Sequence, residues 1–276
     1  MTDRYGVIGH PIAHSKSPVI HRLFAEQTRQ DLSYEAFDIE PEQLGDRVRQ
    51  LVADGLRGFN VTVPHKAAIA GLCDMLEPQA ELAGAVNTVS VLEDGSLLGD
   101  NTDGVGLVRD LVRNLGVELA GIRILVLGAG GATRGITPAL LQAEPASLLI
   151  ANRTAGKAKA LAERFAGLGS ISACAFDALG GQNFELVINA TSAGLQGEVP
   201  PFPDSIVGTQ TVCYDLSYAM QDTPFAAWAR ARGARDACQG WGMLVEQAAE
   251  SFRIWRGVRP NTKPVLRRLP SGRPGH

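Results

Sequence analysis

The sequence predicts an α/β protein of two domains, and three observations carry that prediction. Short apolar runs alternate with segments of helical period almost from end to end, the rhythm of parallel βαβ units. A glycine-rich turn at 128–131 follows one such run and opens into a helical segment. The chain has 276 residues, more than the ~100–200 of one ordinary domain.

The elements follow in order. In the first series, 5–9 is an apolar strand, and Ser-Pro at 17–18 opens a helix over 17–30 with Val19, Ile20, Leu23 and Phe24 facing inward. Residues 32–38 form a strand, 41–55 a helix opened by Pro41, and 58–63 a buried strand. Asp94-Gly95 marks a tight turn in a hairpin over 86–100, and a helix runs over 103–115. The second series is Rossmann-like: strand 123–128, helix 133–143, strand 147–153, helix 155–167, then strands 171–177, 185–191 and 211–217 and a helix at 222–233. A long helix over 243–257 is more than this half absorbs, so it is expected to return to the first. The expected domains are 1–102, completed by 240–276, and 103–239; residues past 268 read as a frayed tail.

Composition narrows the function. With 45% apolar and 20% charged residues the chain is neither collagen-like, coiled-coil nor disordered. A net charge of -3 gives no global basic field, so nucleic acid is not the expected partner. No apolar run reaches the ~20 residues of a membrane span, and the opening segment lacks the apolar core of a secretory signal. A cytoplasmic protein with no membrane partner is expected. Cys73, Cys174, Cys213 and Cys238 are far apart with no CxxC pair, and are expected to be buried, reduced thiols. His10 and His14 are separated by Pro11, which spoils a shared helical face, and no metal site is expected.

The glycine turn suits a dinucleotide. Gly128 allows the tight turn and Gly130 lets a pyrophosphate approach the backbone at a helix start, while Thr133 stands where a strict GxGxxG has its third glycine. The alternative is a turn whose glycines serve packing alone. After the next strand no carboxylate awaits a ribose 2′-hydroxyl; Asn152, Arg153, Thr154 and Lys157 offer donors and positive charge, which favours NADP over NAD. A merely solvated basic helix start is the competing reading. Arg134 is a further phosphate contact or plain surface charge.

Three polar segments of the first domain fall at expected strand ends. Ser15 and Ser17 beside a helix start can hold a carboxylate, though taken alone they read first as N-capping. Asn60 and Thr62 share one face of a strand and demand partners. Lys66 falls in the first turn of the next helix, where the dipole disfavours a cation by ~0.3–1 kcal/mol. His65 is read as structural. Asp103 sits at an expected N-cap, where a carboxylate is favourable with or without catalysis. A lysine and an aspartate on separate loops, beside a nicotinamide site, are the minimum for hydride transfer coupled to proton transfer.

These segments together resemble the shikimate dehydrogenase family: SKSP at 15–18, NVTVPHK at 60–66, GAVNT at 84–88, GDNTDG at 99–104, GAGGATR at 128–134, NRT at 152–154, NATSAG at 189–194, YDLSY at 214–218 and GWGML at 240–244. The resemblance implies reversible NADPH-dependent reduction of 3-dehydroshikimate to shikimate, two α/β domains flanking a cleft, and a monomer or homodimer. It also implies that Ser15 and Ser17 bind a carboxylate, and that Asn60, Thr62, Asn87, Asp103, Tyr218 and Gln247 line the substrate site. Lys66 and Asp103 would be catalytic. Gly128, Ala129, Gly130, Gly131, Ala132, Asn152, Arg153, Thr154, Lys157, Leu216 and Gly240 would hold NADP, with Met243 against the nicotinamide. Gln239 replaces an aspartate of many members, and Trp241 is bulky within the glycine cluster. A quinate- or aminoshikimate-directed paralogue and a non-catalytic NADP sensor are the alternatives on the same fold.

Overall fold

The structure, a computed structural model, describes residues 2–191, 193 and 197–269. The chain divides into two compact units, Met1–Gly106 with Val245–Val265, and Leu107–Leu244 with Leu266–His276. Both main junctions lie within helices, α5 (Asp103–Arg109) and α9 (Trp241–Arg256), a few residues beyond the boundaries expected at 102/103 and 239/240. A junction inside a continuous helix leaves no change of composition to read. Of the tail expected past 268, residues 270–276 lie outside the described residues, as do 192 and 194–196 within and after NATSAG.

The first unit holds a six-stranded sheet in the order β2-β1-β3-β5-β6-β4. Its strands are β1 (Asp3–Gly9), β2 (Leu32–Asp38), β3 (Leu56–Val61), β4 (Met75–Leu76), β5 (Thr88–Val91) and β6 (Leu97–Asp100). β1 pairs in parallel with β2 and β3, but β5 runs antiparallel to both β3 and β6, so the sheet is mixed rather than the parallel one expected. The hairpin is the reason: Gly95 turns at φ +85°, and Asp94 Oδ1 accepts from the backbone N–H and hydroxyl of Ser96. Ile8, Ile39, Phe59, Val61, Ile69, Val86 and Val89 belong to its core. Helix α1 (Ser17–Thr28) buries Ser17, Ile20, His21, Phe24 and Ala25. Val19, expected inward, is exposed. The buried stripe follows the i, i+3, i+4 spacing from Ser17, and Val19 lies off it.

The second unit's sheet is wholly parallel, in the order β12-β11-β10-β7-β8-β9. Its strands are β7 (Arg123–Leu127), β8 (Ser147–Asn152), β9 (Ile171–Ala175), β10 (Leu186–Asn189), β11 (Val212–Asp215) and β12 (Asp236–Gln239), with helices α6 (Gly131–Gln142), α7 (Ala155–Phe165) and α8 (Pro224–Ala231). The order reverses between β7 and β10, the position at which a doubly wound sheet opens a crevice at its carboxyl ends. The two edge pieces β4 and β12, of two and four residues, are too short to show the alternation that marks a strand in sequence.

All four cysteines are free; Cys213 and Cys238 are buried as expected, whereas Cys73 and Cys174 are half-buried. Cys174 lies on the edge strand β9 and Cys73 just before the edge strand β4, where the sheet covers one side only. Among the described residues no helix is long and apolar enough to cross a membrane, and no group of three His, Cys, Asp or Glu side chains could hold a metal ion.

Candidate active site

In the first unit, β3 runs into a turn with a cis Val63–Pro64 bond, and Lys66 is the first residue of α3 (Lys66–Ala70). The Val86 N–H donates to the Lys66 carbonyl at 2.8 Å, tying this helix start to the segment before β5. Lys66 Nζ donates to Asp103 Oδ2 at 2.5 Å, and Asn87 Nδ2 donates to Asp103 Oδ1 at 2.7 Å. Asp103 is the first helical residue of α5 rather than its cap: the Thr102 carbonyl accepts the Gly106 N–H at 2.9 Å, and Asn101 Oδ1 accepts the Asp103 N–H at 3.1 Å. The Asp103 side chain is 6% exposed and that of Lys66 20%. The carboxylate is therefore held on both oxygens, while the ammonium keeps an open side for a ligand.

Asn87 is the hub of this cluster. Its Oδ1 accepts the Thr102 N–H at 2.8 Å, and Gln247 Oε1 lies 3.4 Å from both Asn87 Nδ2 and Thr102 Oγ1. Asn60 is buried beside it, its Nδ2 donating to Asn87 O (3.1 Å), Thr88 Oγ1 (3.2 Å) and Ser251 Oγ (2.9 Å), its Oδ1 accepting from Tyr34 at 2.7 Å. Ser17 lies beside Tyr34 and slightly offsets the effect of burial on its phenol, and its own N–H donates to Ser15 Oγ at 3.3 Å. Burial raises the Tyr34 phenol well above its ordinary pKa, which keeps it a neutral donor. A continuous polar network thus joins Tyr34, Asn60, Asn87, Thr102, Asp103, Lys66 and Gln247, with Ser17 and Ser15 beside its Tyr34 end. Thr62, just past β3, is half-buried with its methyl over Gly9. His65 Nε2 pairs with Ile39 O at 2.7 Å, a buried structural bond.

Sequence reasoning missed Tyr34, Thr88, Thr102 and Ser251. Thr102 had a signal, lying between Asn101 and Asp103; Ser251 had none, since 191 residues separate it from Asn60.

In the second unit Gly128 follows β7 at φ +104°, and a Cβ there would come within 3.0 Å of Ala190 O. Gly130 precedes α6 with no side-chain cap, and a Cβ at Gly130 or Gly131 would meet nothing within 4 Å. An uncapped helix start with open space before it can receive phosphate oxygens on its N–H groups. Ala129 and Ala132 are half-buried flanks, and Thr133 Oγ1 donates to Gly128 O at 2.9 Å, bracing the turn where the third glycine is lacking. At the end of β8 Asn152 Nδ2 donates to Thr154 O at 3.0 Å, while Arg153, Thr154 and Lys157 lie exposed at the start of α7. The cradle and the adjoining cations fit a dinucleotide with a 2′-phosphate.

Leu216 and Gly240 meet backbone to backbone: a Cβ on Gly240 would lie 2.3 Å from Leu216 O. Met243, at the start of α9, donates its N–H to the Tyr214 hydroxyl at 3.1 Å, which donates in turn to Asp110 Oδ2 at 2.6 Å. Tyr218 rests on Trp241, with ring centroids 4.5 Å apart.

Known families match the chain in three segments: Shikimate dehydrogenase substrate binding domain over residues 7–89, Shikimate / quinate 5-dehydrogenase over 110–196, and Shikimate 5'-dehydrogenase C-terminal domain over 240–269. Shikimate dehydrogenase (NADP(+)) of Thioalkalivibrio sulfidiphilus is 56% identical over 97% of this chain and 98% of its own. Among solved structures, an Ael1 enzyme from Pseudomonas putida superposes with a TM-score of 0.90 at 45% identity, over 97% of this chain and 98% of that one. Shikimate 5-dehydrogenase of Thermus thermophilus, in complex with NADP(H) and shikimate, gives 0.86 at 36% identity, over 96% and 99%. With relatives this similar along nearly its whole length, the chain belongs to the shikimate dehydrogenase family.

Proposed function

We propose that the protein catalyses the NADP-dependent, reversible reduction of 3-dehydroshikimate to shikimate. The observation that carries this reading is the 2.5 Å pair of Lys66 and Asp103 at the end of a buried polar network. The residues around it sort by role. Ser15, Ser17 and Thr62 bind the substrate carboxylate end; Asn87, Gln247 and Tyr218 hold its hydroxyls, and Asn60 stiffens Asn87 from behind. Gly128 to Ala132 receive the pyrophosphate, Asn152 to Lys157 the 2′-phosphate, and Leu216, Gly240 and Met243 the nicotinamide end. The first unit is then the substrate-binding domain and the second the NADP domain. A cytoplasmic monomer or homodimer with small-molecule partners completes the reading.

When bound, the reduced nicotinamide supplies a hydride to the C3 carbonyl of the substrate. Lys66, as an ammonium, supplies the proton to the alkoxide that develops there, and takes it back in the reverse direction. Asp103 keeps Lys66 charged and aimed, and Asn87 keeps Asp103 from turning away. Lys66→Ala is expected to lower kcat by about 10²–10⁴-fold with a smaller change in KM, because the proton is needed most in the transition state. The check is NADPH absorbance at 340 nm with 3-dehydroshikimate, with quinate oxidation run beside it. A near-normal kcat would remove Lys66 from this role.

A further inference from the structure

The loop carrying Tyr218 is tied down at alternate residues by three consecutive residues where β12 passes into α9. Gly240 donates its N–H to Ser217 O at 2.9 Å. Gln239 uses both ends of its carboxamide: Oε1 accepts the Ala219 N–H at 2.7 Å, and Nε2 donates to Gln221 O at 3.0 Å. Trp241 Nε1 donates to Ala219 O at 3.3 Å, and its indole packs against the Tyr218 ring at 45° between ring planes. Ala219 therefore has its N–H and its carbonyl held by two different side chains. Gln239 and Trp241 are themselves buried, while Ala219, Met220 and Gln221 are exposed, Met220 by 71%. A loop whose tip is exposed and whose one packed ring is that of Tyr218 takes its shape from such ties.

We infer that Gln239 and Trp241 are positioning residues that set substrate specificity, holding the 217–221 loop so that Tyr218 presents its phenol to the substrate. The inference rests on the reading of Tyr218 as a substrate-binding residue. Only a neutral carboxamide at 239 meets both backbone groups, since a carboxylate of the same size accepts from Ala219 but repels the Gln221 carbonyl. Trp241 adds what hydrogen bonds lack, a tilted ring-to-ring contact that limits how the Tyr218 ring turns.

The test is steady-state oxidation of shikimate with NADP+ by Gln239→Glu, Gln239→Ala, Trp241→Phe, Trp241→Leu and Tyr218→Ala, each checked for folding by its melting temperature. Gln239→Glu is expected to raise KM for shikimate about tenfold, the loss of roughly one half-buried hydrogen bond, with kcat and the KM for NADP+ within about twofold. Trp241→Phe, which keeps a ring against Tyr218, should recover part of the loss seen in Trp241→Leu. Chymotrypsin should cleave faster after Met220 in the Gln239 variants. Wild-type KM for shikimate in folded Gln239→Glu and Trp241→Leu, alongside a raised KM in Tyr218→Ala, overturns the inference alone. An unchanged KM in Tyr218→Ala overturns the substrate role of Tyr218 and the inference with it. Should the Gln239 variants fail to fold, the comparison of Trp241→Phe with Trp241→Leu decides.

Discussion

Asn60 spends its amide on the protein: its Oδ1 accepts from Tyr34, its two amide hydrogens are shared among Asn87, Thr88 and Ser251, and the side chain is buried. Deleting it leaves buried donors and acceptors unpaired, so Asn60→Ala is expected to cost about 1–3 kcal/mol. Urea denaturation measures this; a loss below about 0.5 kcal/mol would mean that water or a neighbour replaces the amide. At this scale the sequence is legible where chemistry is local. Lys66 and Asp103 stand out because a cation at a helix start and a carboxylate at another each have a definite electrostatic cost or gain. The partners of Asn60 do not stand out, because Tyr34 and Ser251 come from opposite ends of the chain and their spacing carries no periodicity.

Helices α5 and α9 bring glycine to close contacts within each unit. A Cβ on Gly106 would lie 2.6 Å from the Cβ of Gln247 and 2.7 Å from its backbone nitrogen, and one on Gly242 would lie 1.9 Å from Asp110 Oδ1. The second contact seats a buried carboxylate beside the first turn of α9, a favourable place for an anion. Gly106→Ala is expected to destabilise by about 1–3 kcal/mol, since backbone at Gln247 must move, and to raise KM for shikimate through Gln247. Gly156→Ala in α7, where a Cβ meets nothing within 4 Å, is the control; without cofactor it should stabilise by about 0.5–1 kcal/mol. Urea midpoints of both variants decide, and equal effects would refute the packing argument. The sequence marks both helices, but a helix's period says which face is apolar and not where another backbone crosses it. For the same reason α1 is legible as a helix while Val19 falls on the wrong face.

Taken over the whole molecule, the parallel sheet of the second unit is the most legible part, because its four inner strands β7, β8, β10 and β11 are apolar on both faces. The mixed sheet of the first unit is not, since β4 is two residues long and β5, besides its hairpin partner β6, also pairs with β3 across three intervening elements. Its interior also holds an ionisable group that composition cannot reveal. His21 stacks on Tyr34 at 4.1 Å between ring centroids, beside Phe24, Phe252 and Trp255. Burial there, with neither ring nitrogen hydrogen-bonded, lowers its pKa from the ordinary 6.5 to about 3, and the nearby Asn60 amide opposes this only in small part. Above pH 6.5 the imidazole is neutral in both folded and unfolded chains and costs nothing. As pH falls below 6.5 the unfolded chain takes up the proton first, and stability drops by about 1.4 kcal/mol per pH unit until the folded histidine also titrates near 3. Asp100 and Asp215 act in the opposite sense: burial raises both pKa values, and their cost to folding is relieved as they protonate. The raw pH curve sums these effects, so the informative quantity is the difference between wild type and His21→Phe, which keeps a ring against Tyr34 and removes only the titration. Between about pH 6.5 and 4.5 the wild type should lose about 2–3 kcal/mol more than the variant in urea denaturation. Parallel curves over that range would mean that the imidazolium finds a partner in the folded chain and that burial does not hold it neutral.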